Sequence, residues 1–224
     1  MTALFNPHLF KHREAATAGF NNLCTIIHRI REPGEYFGRV VCRDQLLGAF
    51  KLTCGKEATA TQVDIDVSKF DAVLRAAANA ESPCPERLSL SPDGHVVFFA
   101  GGHHNGVYVT LARAEQHEQK VVFDSRKLDS GDLVVFRLFY PGAYRVTDRA
   151  GAAVLHLRVR EEEDGRYPQL AKLPPVTVTL SERGFDPPKV EKWPTQALLI
   201  RLEKSGVLEL TSEDLDAKRA AKSK

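Results

Sequence analysis

Residues 129–160 read DSGDLVVFRLFYPGAYRVTDRAGAAVLHLRVR, and this stretch decides the class of fold. Asp129-Ser130-Gly131-Asp132 is a cluster of turn formers, residues 133–139 are a β-rich apolar run, and Pro141-Gly142 turns the chain again. Residues 143–147 then read as a strand, 148–151 as a turn, and 153–160 as a further strand. In that last run Ala153, Leu155, Leu157 and Val159 alternate with His156, Arg158 and Arg160. A period of two places the first set inward and the second in water. Short strands at this spacing predict an all-β sandwich or barrel.

The same grammar extends upstream. Strands are expected at 87–90, 95–100, 107–113 and 120–123, with Ser91-Pro92-Asp93-Gly94 and Gly101-Gly102 among the separators. Residues 37–42 and 47–54 flank Arg43-Asp44-Gln45 and read as a hairpin. In residues 62–67, Val63, Ile65 and Val67 alternate with Asp64 and Asp66. Ser68 and Asp71 then resemble a capping box, and Phe70, Val73, Leu74 and Ala77 share one helical face, which predicts a helix of roughly three turns ending before Ser82-Pro83. Nearer the N-terminus, Leu23, Ile26, Ile27 and Ile30 are helically spaced, which suggests a short amphipathic helix or an irregular arm. Downstream, Glu161-Glu162-Glu163-Asp164-Gly165 opens a linker that runs to Pro174-Pro175. The expected organisation is an arm or helix at 1–35, a β-sandwich at 36–160, a linker at 161–175, a β-segment at 176–212 packing on the sandwich or on another subunit, and a charged tail at 213–224. No internal repeat emerges from the sequence.

The bulk numbers exclude more than they assign. At 224 residues, 43% of them hydrophobic, the chain can bury a core without disulfides or metal. Lys plus Arg number 31 against 29 Asp plus Glu, so no global field draws the chain to nucleic acid. No run of 18 apolar residues is present, which argues against a membrane span, and the first residues lack the apolar stretch of a secretory signal. The expected location is the cytoplasm. Cys24, Cys42, Cys54 and Cys84 form no CxxC pair or zinc-finger spacing and read as free thiols.

Two pieces carry a resemblance. SGDLVVFRLFYPGAYRVTDRAGAAVLHLRV resembles the end of a cupredoxin-like domain, with a Gly-Asp turn, an apolar strand, a Pro-Gly-x-Tyr corner and a final strand. VTVTLSERGFDPPKVEKWPTQALLIRLEKSG, from Val176, looks like the opening of such a domain. The resemblance implies an antiparallel Greek-key β-sandwich, cupredoxin-like or immunoglobulin-like, carrying one short helix and an N-terminal arm. It also implies where copper would sit, and there the chain departs from the family. Asp148 occupies the expected Cys position, residues 149–152 supply no His or Met, and the only Met is Met1. A type 1 copper centre needs a thiolate and two imidazoles, so none can form on this pattern.

The richest chemistry is Gly101-Gly102-His103-His104-Asn105. The expectation is no cofactor, with His103, His104 and His95 as the candidate ligands should copper or zinc bind. Adjacent residues of an extended chain point to opposite sides, however, and the preferred reading is a surface turn in which Asn105-Gly106 supplies positive φ. Ser130 lacks a nucleophile elbow, and Asp64, Asp66 and Asp71 read as a solvated face. Phe98 and Phe99 are adjacent, so one must face outward, and it marks a second packed layer or an interface if exposed. The apolar run Leu198-Leu199-Ile200 poses the same question. The functional expectation is a non-catalytic module that binds a protein partner or assembles with itself. The alternatives are a metal-binding module or metalloenzyme on the His103-His104 loop, and a carbohydrate-binding sandwich using Trp193 or Tyr167.

Overall fold

Alternation of side chains governs nearly every segment, because each strand has one face in the core. The computed structural model describes residues 13–19, 21–70, 86–101, 106–115, 119–149, 153–161 and 172–214. Among them the first half of the chain forms β1 (Ala15–Ala16), β2 (Cys24–Arg29), β3 (Gly34–Cys42), β4 (Gln45–Cys54), β5 (Gln62–Asp66), β6 (Glu86–Leu90), β7 (His95–Phe99), β8 (Val107–Ala114) and β9 (Gln119–Asp124). The second half forms β10 (Leu133–Arg137), β11 (Gly142–Asp148), β12 (Val154–Val159), β13 (Val176–Ser181), β14 (Gly184–Asp186), β15 (Lys189–Lys192), β16 (Ala197–Leu202) and β17 (Leu208–Ser212). A seven-stranded central sheet runs β14-β13-β16-β10-β2-β7-β5. The other two sheets have five strands each, in the orders β6-β4-β3-β8-β9 and β1-β17-β11-β12-β15. Phe98 of the central sheet lies between Phe50 and Phe123 of the first of these, with centroids 6.4 Å and 5.0 Å away.

This overturns the expected Greek-key sandwich. The path is a stacked, solenoid-like coil. The chain leaves β4, enters the central sheet as β5, returns to lie parallel beside β4 as β6, and re-enters parallel beside β5 as β7. The second half repeats the move, with β12 parallel to β15 and β13 parallel to β16. Turn formers between short strands look alike whether the chain reverses within a sheet or steps to the next layer, so spacing alone pointed to hairpins. The helical reading of residues 23–30 is corrected as well. Cys24–Arg29 is a strand, with Ile26 buried and Ile27 on the opposite face, and a strand apolar on both faces mimics a helical pattern. Of the helix expected from Ser68, residues 68–70 are helical, and the rest lies outside the described residues.

The two coils are copies of one plan. Strands β2 to β8 correspond to β10, β11, β12, β13, β15, β16 and β17, and every pairing recurs between counterparts. The first strands, β2 and β10, are antiparallel neighbours at the centre of the long sheet, so a pseudo-two-fold axis runs between them. Residues keep the correspondence. Pro33-Gly34-Glu35-Tyr36 and Pro141-Gly142-Ala143-Tyr144 occupy the same corner, with positive φ at Gly34 and Gly142. In each, a buried tyrosine donates its hydroxyl proton to the carbonyl four residues back, Glu32 for Tyr36 and Tyr140 for Tyr144. The turns Pro92-Asp93 and Pro194-Thr195 also match, with φ of 64° at Asp93 and 66° at Thr195. Tyr36→Phe and Tyr144→Phe are each expected to cost about 1–2 kcal/mol in urea unfolding, through one lost bond to a backbone carbonyl. The double variant should show the sum, because the corners lie in different coils.

Candidate interface and seam cavity

The central sheet has two apolar faces, and only one meets the core. Ile26, Val96, Phe98, Val134, Phe136, Leu198 and Ile200 are buried beneath the five-stranded sheets. Their neighbours Ile27, Val97, Phe99, Leu133, Val135 and Leu199 point the other way, are half-buried, and lie outside the core cluster. Register joins them into one stripe: Val97 pairs with Ile27, Ile27 with Leu133, and Val135 with Leu199. No strand among the described residues packs on this face. Asp64 and Asp66 border it on β5, and Arg201 borders it on β16, beside Thr179 of β13. Burial works against the Asp66 carboxylate. Hydrogen bonds from the Ser68 hydroxyl (2.6 Å) and from the amides of Gly101 (2.9 Å) and Ser68 (3.0 Å) outweigh it and hold the pKa below its ordinary value.

A cavity of about 300 Å³ opens at the end of β2, between that strand, the tips of β8 and β9, and the 129–132 turn. Within it His28 Nδ1 lies 2.7 Å from Asp132 Oδ1, although the residues are 104 positions apart. Asp132 is 3% exposed, and its other oxygen accepts the amide of Asp129 at 2.9 Å. The imidazole packs on Phe123 at a centroid distance of 4.7 Å. Arg31, Arg113, Lys120 and Tyr36 contribute to the lining. At the counterpart place across the pseudo-two-fold axis the facing residues are Cys24 and Phe136, both buried. His28 and Asp132 are therefore a polar insertion into a seam whose other core-facing pairs, Ile26–Val134 and Cys24–Phe136, are apolar.

No family model, curated protein or solved structure matches the chain. The geometry alone carries the functional argument.

Of the histidines singled out in the sequence, His95 begins β7 on the open face, between Arg29 and Gln62. His103 and His104 lie outside the described residues, as do Tyr167 and Cys84. Among the described residues no three His, Cys, Asp or Glu side chains converge as a metal site. Asp148, at the position where the resemblance would call for Cys, is buried and paired with Lys204 at 2.7 Å. Trp193 is stacked by the Arg160 guanidinium, 5.2 Å from its ring centroid. No helix among the described residues is long and apolar enough to cross a membrane.

A further departure from the repeat is Lys192, 1% exposed, where the first coil has the buried Leu90. Its Nζ donates to the carbonyls of Gln196 (2.7 Å), Trp193 (2.9 Å) and Leu138 (3.2 Å). Neither the His28–Asp132 pair nor this lysine was singled out from the sequence. A single His or Lys within an apolar strand carries no spacing signal, and only comparison of the two coils exposes it.

Proposed function

We propose that this chain is a non-catalytic assembly module that binds a second copy of itself through the open face of the central sheet. The carrying observation is the stripe of Val97, Phe99, Ile27, Leu133, Val135 and Leu199 across four strands, with Thr25 set between Phe99 and Val135. A patch of that kind is a binding surface or a liability. Its margins favour a copy of the chain as the partner. A two-fold axis along the β2–β10 seam lays the acidic edge of one copy, Asp64 and Asp66 on β5, over β13 of the other, beside its Arg201 on β16. Seven strands about 4.8 Å apart and about 17 Å long give roughly 600 Å² per copy, at the small end for a specific interface. The expected dimer is accordingly weak, with a dissociation constant in the micromolar range.

Light scattering across a dilution series tests the reading. The wild type should pass from dimer to monomer as it is diluted. Leu199→Lys and Phe99→Lys should weaken the dimer by tenfold or more, about 1.4 kcal/mol, while leaving thermal stability close to that of the wild type. A wild type that remains monomeric at several hundred micromolar would sink the assembly reading. So would a Leu199→Lys variant that dimerises as well as its parent.

A further inference from the structure

We propose that the seam cavity is a separate binding site for a small oxyanion that keeps a hydroxyl group, a hydrogen phosphate or a hydroxycarboxylate. Three observations lead there, and none depends on the open face.

The first is the orientation of His28. His28 Nδ1 and Asp132 Oδ1 are 2.7 Å apart, and with Asp132 ionised, as an acceptor only, that contact takes the tautomer that carries its proton on Nδ1. Nε2 is then the acceptor left for a ligand hydroxyl. Asp132 is itself held by the Asp129 amide, so the imidazole is oriented before any ligand arrives.

The second is the balance of charge around the ring. Glu32 is engaged by Arg113, Asp129 accepts from the Ser205 hydroxyl at 3.0 Å, and Asp132 is engaged by His28. Arg31 donates to the Ser130 carbonyl at 3.2 Å. Among the described residues neither Arg31 nor Lys120 has a carboxylate within ion-pair distance, and Glu115 is the one lining acid not named in a bond. Arg31 and Lys120 can each meet an anionic oxygen and the imidazole an O–H, in a lining whose four acids, Glu32, Glu115, Asp129 and Asp132, match its four cations, Arg29, Arg31, Arg113 and Lys120. The cavity, about 300 Å³, sits at the small end of ligand sites.

The third is the repeat. At the counterpart place the fold closes the seam with Cys24 and Phe136, so packing does not require a buried histidine and aspartate. Burying such a pair gives a stability return near zero or below, so stability does not account for it.

The test is a ligand titration at pH 8, followed by the ¹H–¹⁵N signals of the His28 ring, which report its tautomer and protonation directly, and by calorimetry. The probes are inorganic phosphate, which keeps one hydroxyl, lactate, and sulfate, which keeps none. Phosphate or lactate should bind with a dissociation constant near or below about 1 mM and shift the His28 Nε2 resonance, with sulfate at least tenfold weaker. Whichever of phosphate and lactate binds tighter assigns the class. Arg31→Ala should weaken binding about tenfold through loss of a charge-assisted contact. His28→Phe with Asp132→Cys, which installs the counterpart pair, should abolish it while the protein stays folded. Sulfate binding as tightly as phosphate, no binding by phosphate or lactate, or unchanged binding in Arg31→Ala would each overturn the proposal. Arg31 is exposed, so that variant gives an answer even where the double substitution impairs folding.

Discussion

Gly38→Val should unfold at a markedly lower urea concentration than the wild type. Gly38 faces Phe50 across the β3–β4 pair, and a Cβ built on Gly38 would overlap the tip of the Phe50 ring. That ring cannot swing away. Phe50 is 1% exposed and hemmed by Phe70 and Phe98, whose centroids are 6.1 Å and 6.4 Å distant. Overpacking against a buried aromatic with no free volume should cost about 4 kcal/mol or more, out of the roughly 5–15 kcal/mol of an ordinary domain. The second coil solves the same contact with the sizes redistributed. There Val146 faces Leu155, and both are fully buried. Gly38→Val combined with Phe50→Leu installs that pair and should recover all but about 1–2 kcal/mol of the loss. Circular dichroism with urea unfolding reads both variants. A stable single variant, or a double variant no better than the single, would mean that the coils do not share the packing their register implies.

The two coils also explain what could be read from the sequence and what could not. Inward and outward sets were legible wherever one face is polar, as in β12, where Leu155, Leu157 and Val159 are buried while His156 and Arg158 are exposed. Adjacency required one of Phe98 and Phe99 to face outward without saying which, and raised the same question for Leu198-Leu199-Ile200; the structure puts Phe99 and Leu199 on the open face. Layer order was not legible. Whether the chain after Cys54 turns back within its sheet or crosses to the next depends on long-range pairing, which no local turn formula encodes. The Pro-Gly-x-Tyr corner at 141–144 carries the family resemblance, while its twin at 33–36 lies at the edge of a segment that reads as an arm. Beyond such corners the repeats share burial but few residue identities, because a buried position asks only for apolar volume. The His28–Asp132 pair was out of reach for a related reason: its partners meet only because β2 and β10 are neighbours in the central sheet.

Lys192→Leu should lower stability, and the loss should grow as the pH rises from 7 to 9. Burial pushes the Lys192 ammonium down from its ordinary value to about 7. Between about pH 7 and 10.5 the unfolded chain therefore holds a proton that the folded chain has released. Folding then gains with rising pH, by up to about 1.4 kcal/mol per unit, and below pH 7 the contribution flattens because both states are protonated. The neutral amine still has two hydrogens to donate. Two suffice, since the Leu138 carbonyl also accepts the Thr195 amide at 3.0 Å, leaving those of Trp193 and Gln196 to be satisfied. Leucine, the residue of the first coil at this place, satisfies neither carbonyl, and the cost at pH 7 should be about 2 kcal/mol. Urea unfolding of both proteins at pH 7, 8 and 9 gives the comparison, with the gap expected to widen by more than 1 kcal/mol over the range. Parallel curves would mean that the three carbonyls keep the ammonium charged despite its burial. A leucine variant as stable as the wild type would mean that the turn at 193–196 repacks as its counterpart at 91–94 does, and that the lysine serves something other than the fold.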